Sequence, residues 1–147
     1  MDWKIANFDD LTTRELYTVM RLRQDVFVLE QNCVYRDLDG LDLAAVHILC
    51  WEDGELLAYL RCLQPGASYP QSSIGRIVVS PLARGCDLGR ELVNRGIAYN
   101  LETWPDTDIR IGAQAYLEKF YTELGFVTDG EPYMEDGIEH IHMSLHK

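Results

Sequence analysis

Apolar residues recur along this 147-residue chain at two spacings that predict a series of strands and helices. Short apolar runs bounded by turn residues are typical of strands, and apolar positions three and four residues apart are typical of helices. The pattern predicts strands over residues 3–8, 46–51, 56–63, 74–79, 108–113, 126–128 and 139–145. It predicts helices over residues 12–27, from about residue 88 to Pro105, and over 116–124.

Local sequence signals mark where several of these elements begin and end. Thr12 and Glu15 have the spacing of a capping box, which favours a helix start. Asp53-Gly54 lies between two predicted strands and favours a tight hairpin, since both residues tolerate positive φ. Gly125 suits the left-handed position that follows a helix. The order of elements predicts one α+β domain over residues 1–147, built around one sheet.

Composition and charge narrow the possible partners. The chain is 47% hydrophobic, so we expect a substantial core. Its net charge of -11 argues against nucleic acid as a partner and is compatible with cationic substrates such as amines. We expect no membrane span, because no uncharged apolar run reaches the required length. The absence of a signal sequence and the scattered cysteines favour reduced thiols in a cytoplasmic protein: Cys33, Cys50, Cys62 and Cys86.

Residues 74–93 contain a pattern suited to binding phosphate. A β-branched strand precedes Pro81, and a loop with Arg84, Gly85 and Gly89 leads into the next predicted helix. Main-chain N–H groups at a helix start lack partners within the helix, and the helix dipole favours an anion there. Arg84 and Arg90 add positive charge. The spacing differs from both common nucleotide-binding glycine loops, and a plain strand-to-helix turn remains the alternative.

A second motif makes the predicted ligand of this loop more specific. Phe120-Tyr121 is followed by Gly125-Phe126, and the two motifs together resemble the GNAT family of acetyl-CoA-dependent N-acetyltransferases. Residues 26–33, 37–40 and 111–115 are similar to the ElaA-type branch of that family. The resemblance implies α/β/α layers with a mixed, mostly antiparallel sheet flanked by helices. Strands 74–79 and 108–113 are then expected to separate and admit acetyl-CoA.

The resemblance also implies roles for individual residues. Main-chain groups of Ile77, Val78 and Val79 would pair with the pantetheine arm and polarise the thioester carbonyl. Tyr121 would protonate the departing thiolate after direct attack by an amine, with no covalent enzyme intermediate. The remaining residues implied to bind the cofactor are Arg84, Gly85, Cys86, Asp87, Leu88, Gly89, Arg90 and Gln114.

This chain departs from the family pattern at three places. Asp87 stands where the family usually has glycine, and it is also placed to cap the following helix. Gln114 replaces a cofactor-contacting asparagine. The strand at 73–80 has no carboxylate to act as a base, which supports a non-catalytic acyl-CoA-binding domain as the alternative function. The candidates for the base are a water chain or one of three side chains, ranked with the first most favoured: Glu30, His47 and Glu139.

Two further clusters are interpreted as structural. His140 and His142 invite a zinc site, but no third ligand has clear spacing, so we predict a solvent-facing strand and no metal. Asp37, Asp39 and Asp42 resemble part of a calcium loop but lack its closing glutamate, so we predict a solvated acidic loop. The acyl acceptor is expected to be a small-molecule amine or a peptide or protein amine, and a homodimer is left open.

Overall fold

The computed structural model describes residues 1–147, which form eight strands and three α-helices. Short 3-10 turns connect several of them. The strands are β1 (Asp2–Asn7), β2 (Val46–Glu52), β3 (Glu55–Leu63), β4 (Ser73–Val79), β5 (Ile109–Gln114), β6 (Val127–Thr128), β7 (Tyr133–Glu135) and β8 (Ile138–Leu145). The helices are α1 (Thr13–Arg23), α2 (Leu88–Thr103) and α3 (Glu118–Glu123).

The first helix begins at the predicted capping box. The Thr12 hydroxyl accepts from the Glu15 amide at 3.0 Å, and the Glu15 carboxylate accepts from the Thr12 amide at 2.8 Å. Beyond Arg23 the chain continues in wider π-helical turns over Gln24–Glu30. The predicted apolar face therefore extends past the α-helix itself, and Val26 is buried on it.

The strands form two antiparallel sheets that meet at one point, rather than the single sheet that the order of elements predicts. One sheet has the order β1-β2-β3-β4, and the other contains β5, β8 and β6, with β7 paired to β8. Ser72 and Ile109 form the one parallel bridge between them, and the Arg110 amide donates to the Ser72 carbonyl at 2.9 Å. Beyond this junction β4 and β5 are not hydrogen-bonded to each other, so the expected separation of these strands is confirmed.

Helix α2 packs against the junction between the two sheets. A Cβ at Gly96 would lie 3.0 Å from Leu60 and 3.2 Å from Ile74, so any larger residue would require these side chains to shift. The buried amide of Asn100 donates to the Ser73 carbonyl at 3.0 Å and to the Ser72 hydroxyl at 3.2 Å. Apolar packing and this polar anchor together place the start of β4.

The acidic loop is folded against arginines, and the prediction of a solvated loop is wrong. Asp37 and Asp42 are buried. The loop meets three arginines that come from α1, β3 and β4. Arg23 contacts Asp37 and Asp42 at 3.0 and 2.6 Å, Arg61 contacts Asp39 and Asp42 at 2.7 and 3.0 Å, and Arg76 contacts Asp37 and Asp39 at 2.8 and 3.3 Å. Because these arginines are far apart in sequence, local pattern analysis did not detect the network.

Candidate functional site

The gap between β4 and β5 opens into a groove of about 810 Å³. Strand β4 forms one wall, strand β5 forms the other, and the end of the first helix covers part of it. The groove brings together seven of the residues that the sequence singled out: Glu30, Ile77, Val78, Val79, Arg84, Gln114 and Tyr121.

One edge of β4 faces this groove without a partner strand. Val78 and Val79 pair with Tyr59 and Ala58 of β3 on the opposite edge. The pairing shifts register before Arg61, and Arg76 has a left-handed φ of 51°. Such an irregularity bends a strand locally. An open strand edge offers main-chain N–H and C=O groups with which an extended ligand can pair.

The predicted phosphate loop forms a second cavity of about 680 Å³, lined by Ala83 to Arg90 together with Val79 and Phe120. Val79 and Arg84 line both cavities, so the loop cavity adjoins the groove between the sheets. Gly85 has a φ of 88°, a conformation that favours glycine. The loop therefore turns sharply just before α2 begins.

Asp87 occupies the helix N-cap position, but the prediction that its side chain caps α2 is wrong. Its carboxylate accepts no capping hydrogen bond and is 86% exposed, with one oxygen 3.8 Å from Nε of Arg90. The N–H groups in the first turn of α2 therefore have no side-chain cap. Asp87 has a φ of 63°, which explains why glycine suits this position and why aspartate can replace it.

Arg84 connects the loop to two other elements of the site. Its Nε donates to the Val79 carbonyl at 3.3 Å, and its guanidinium contacts the two carboxylate oxygens of Glu30 at 2.8 and 3.1 Å. Arg90 contacts Glu123 at 3.0 Å. The Cys86 thiol donates to the Ala83 carbonyl at 2.8 Å, and Cys86 lines the loop cavity but not the main groove.

Tyr121 lines the main groove from α3 and is only 6% exposed. Phe120 and Phe126 pack edge-to-face against its ring at centroid distances of 5.1 and 5.9 Å. Gly125 turns the chain through a φ of 106°, and the Phe126 amide then donates to the Tyr121 carbonyl at 3.1 Å. Burial raises the pKa of the Tyr121 phenol, so the hydroxyl stays protonated and can donate. The motif thus fixes this ring in place.

Among the three side chains considered as the base, the groove includes Glu30 alone. His47 is fully buried, with its ring nitrogens 2.6 Å from the Tyr59 hydroxyl and 3.0 Å from the Asp42 carbonyl. Burial lowers the pKa of His47. Glu139 is exposed on β8 and does not line the groove.

His140 lines the groove, although the sequence analysis treated it as solvent-facing. It is 9% exposed and lies opposite Gln114 in the pairing of β8 with β5. His142 stacks on Tyr133 at 4.4 Å. The prediction of a solvent-facing strand is therefore wrong for His140, whereas His142 is half-buried. Alternation along β8 places the two histidines on one face, but their environment depends on β7, which was not predicted. No group of three or more His, Cys, Asp or Glu side chains in the chain is placed to hold a metal ion.

Comparison with known proteins identifies the class to which this fold and groove belong. Residues 15–147 match the family described as the acetyltransferase (GNAT) domain. The chain therefore belongs to the GNAT family, and the expected GNAT acyl-CoA N-acyltransferase fold is confirmed. No helix in the structure combines the length and the apolar character that crossing a membrane requires.

The similarity extends to individual proteins over nearly the full chain. The sequence is 40% identical to protein ElaA of Escherichia coli over 146 residues, which is 98% of this chain and 95% of that protein. The crystal structure of that ElaA superposes with a TM-score of 0.91, covering 98% of each chain. An acyl-CoA N-acyltransferase from Pseudomonas aeruginosa is 45% identical and superposes with a TM-score of 0.92, covering 99% of each chain. The expected resemblance to the ElaA-type branch is confirmed.

Proposed function

We propose that this protein transfers an acetyl group from acetyl-CoA to a primary amine by direct attack in a ternary complex. The observation that carries the proposal is that two cavities adjoin each other. The cavity at the glycine loop before α2 lies beside the groove that Tyr121 lines, and Val79 and Arg84 line both. A phosphate-binding end joined to a proton donor fits an extended, phosphorylated thioester such as acetyl-CoA.

The residues present fit that ligand along its length. The uncapped start of α2 and the turn at Gly85 offer N–H groups to the pyrophosphate, and Arg84 and Arg90 lie beside them. The open edge of β4 at Val78 and Val79 offers main-chain groups to the pantetheine arm and an N–H to the thioester carbonyl. Gln114 reaches the groove from β5 and donates to Gln31 at 3.3 Å.

Tyr121 is the proposed proton donor to the departing thiolate. Its hydroxyl is held protonated by burial in the groove, and a thiolate leaves more readily when it receives a hydrogen bond or a proton. Cys86 lies in the phosphate loop and outside the main groove, so an acyl-cysteine intermediate is not part of the proposal.

The proposed acceptor is a cationic amine, either a small molecule or an amine of a peptide or protein. The chain carries a net charge of -11, and Glu135 and Asp136 line the groove on the β7–β8 side. Negative charge near a binding site raises the local concentration of cations. All four cysteines are free, which supports the proposed cytoplasmic location because thiols stay reduced there.

A direct test is CoA release from acetyl-CoA in the presence of polyamines, amino acids, aminoglycosides and peptides. With the best acceptor, Tyr121→Phe is expected to lower kcat about 100-fold, the scale of general acid catalysis. The Kd for acetyl-CoA, measured by isothermal titration, should stay within about twofold, because a twofold change is below ~0.5 kcal/mol. Tyr17→Phe, on an exposed tyrosine of α1, is the matched control and should change neither value.

Two results would contradict the proposed roles. Equal loss of turnover and of acetyl-CoA affinity in Tyr121→Phe would make this tyrosine structural. Tight acetyl-CoA binding without turnover on any amine would favour a non-catalytic acyl-CoA-binding domain, an alternative supported by the absence of any carboxylate on β4.

A further inference from the structure

His140 lines the groove, and one of its two ring nitrogens makes no hydrogen bond within the protein. Nδ1 lies 2.7 Å from the Ile138 carbonyl oxygen, which can only accept, so Nδ1 carries the proton in the neutral ring. The basic lone pair is therefore on Nε2. This nitrogen makes no hydrogen bond within the protein and is not fully buried, and His140 is one of the residues that line the groove.

Groups from β5, β7 and β8 surround the His140 ring. Tyr133 stacks on the ring at 5.8 Å, and Glu135 places a carboxylate oxygen 3.6 Å from Nε2; both come from β7. Gln114 faces His140 from β5, and His142 follows it on its own strand. The one carboxylate in this set lies next to the nitrogen on which an imidazolium charge would develop.

Glu30, the other candidate for the general base in the groove, forms an ion pair with Arg84. Both of its oxygens contact the Arg84 guanidinium, at 2.8 and 3.1 Å. This bidentate contact occupies both oxygens with one guanidinium, which a proton taken from the amine would have to displace. His140 has a fixed tautomer and a free acceptor nitrogen, so its geometry suits proton transfer better.

We propose that His140 is the general base of the acyl transfer, an inference that rests on the proposed function. Nε2 takes one proton from the incoming ammonium group, and the neutral amine then forms a C–N bond to the acyl carbon. The C–S bond breaks, and the nitrogen's second proton reaches the sulfur through the Tyr121 hydroxyl, which gives one proton and regains one. The imidazolium releases its proton to solvent. The products are the amide, CoA as a free thiol and one proton.

The test uses an Asn substitution that keeps the hydrogen bond made by Nδ1 and removes the basic Nε2. In His140→Asn the amide nitrogen can still donate to the Ile138 carbonyl, while the basic Nε2 is lost. His142→Asn is the matched control, since His142 lies two residues away on β8 and does not line the groove. Each variant is assayed at neutral pH with the best alkyl amine and with methoxyamine, whose nitrogen is already unprotonated at that pH.

With the alkyl amine, His140→Asn is expected to lower kcat about 100-fold, since general base catalysis contributes on this scale. With methoxyamine the loss should be only a few-fold, because no proton has to leave before attack. The acetyl-CoA Kd should stay at the wild-type value in both variants. His142→Asn should keep the wild-type ratio of the two amine rates.

Two results would overturn the assignment of His140: alkyl-amine turnover within a few-fold of wild type, or equal loss with both amines. If His140→Asn does not fold, His140→Gln is tested against the same criteria. A wild-type protein that transfers acetyl to neither amine would instead refute the proposed function, and the assignment of His140 with it.

Discussion

Asp87 allows a direct test of how the loop before α2 binds phosphate. It is the one position in the loop where a negative charge replaces the glycine typical of the family, and it has a left-handed φ of 63°. Two substitutions separate its charge from its backbone. Asp87→Asn removes the charge but keeps a side chain that tolerates this conformation, whereas Asp87→Gly also removes the conformational strain.

The structure sets the size of the expected effect. The Asp87 carboxylate lies 3.8 Å from Nε of Arg90 and is 86% exposed. Two unit charges about 4 Å apart interact by about 1 kcal/mol in water, and exposed pairs are measured at about 0.2–1 kcal/mol. Removing this negative charge from beside Arg90 and the pyrophosphate should therefore tighten CoA binding by about 0.5 kcal/mol, or about twofold. Asp87→Gly should tighten CoA binding by the same amount. The free energy of unfolding should change little, because glycine relieves the left-handed backbone strain of the folded state but also increases the entropy of the unfolded chain.

Isothermal titration with CoA at low and high salt measures this effect. Both variants should bind about twice as tightly as wild type at low salt, and the difference should shrink at high salt as the charges are screened. Weaker binding by Asp87→Asn would refute the reasoning, because it would mean that the carboxylate itself contacts the ligand. A gain in Asp87→Gly alone would assign the effect to the backbone.

Two further predictions concern the buried network around Arg23. Arg23→Ala should lower the free energy of unfolding in urea by about 3 kcal/mol, the lower end of the range for breaking a buried ion pair, because Asp37 and Asp42 each lose one of their two arginine partners. Arg21→Ala on the exposed face of α1 should lower it by less than about 0.5 kcal/mol, and equal losses in the two variants would contradict this account. Stability should also decline in acid. Burial alone would raise the pKa of Asp42, but the contacts with Arg23 and Arg61 outweigh it and lower that pKa, while burial lowers the pKa of His47. Since both groups bind protons more readily when unfolded, the free energy of unfolding should start to fall below about pH 6.5 and fall more steeply below about pH 4. Constant stability down to about pH 3 would contradict these shifts.

Features set by residues close in sequence were predictable. The capping box at Thr12, the hairpin turn at Asp53-Gly54 and the left-handed Gly125 each depend on a few neighbours, and the structure confirms all three. The loop and the Phe-Tyr motif belong to the same group, since each is one short segment. Because these two motifs resemble one family, they predict the separation of β4 and β5, and the groove lies between those strands.

Features that depend on distant segments were not predictable in this way. The acidic loop is buried because arginines from α1, β3 and β4 meet it, and nothing near residues 37–42 indicates those partners. The setting of His140 depends on β7, a strand of three residues whose pattern is too short to detect. The Asp87 carboxylate makes no capping hydrogen bond, and its backbone is left-handed, a conformation that composition alone does not reveal.

Isothermal titration of the wild-type protein with acetyl-CoA tests the central claim most directly, since the loop, the open edge of β4 and Tyr121 are all assigned to one ligand. The account predicts saturable binding of one acetyl-CoA per chain, weakened by Gly85→Ala because the left-handed turn at this position favours glycine. Absence of binding at millimolar acetyl-CoA would contradict it.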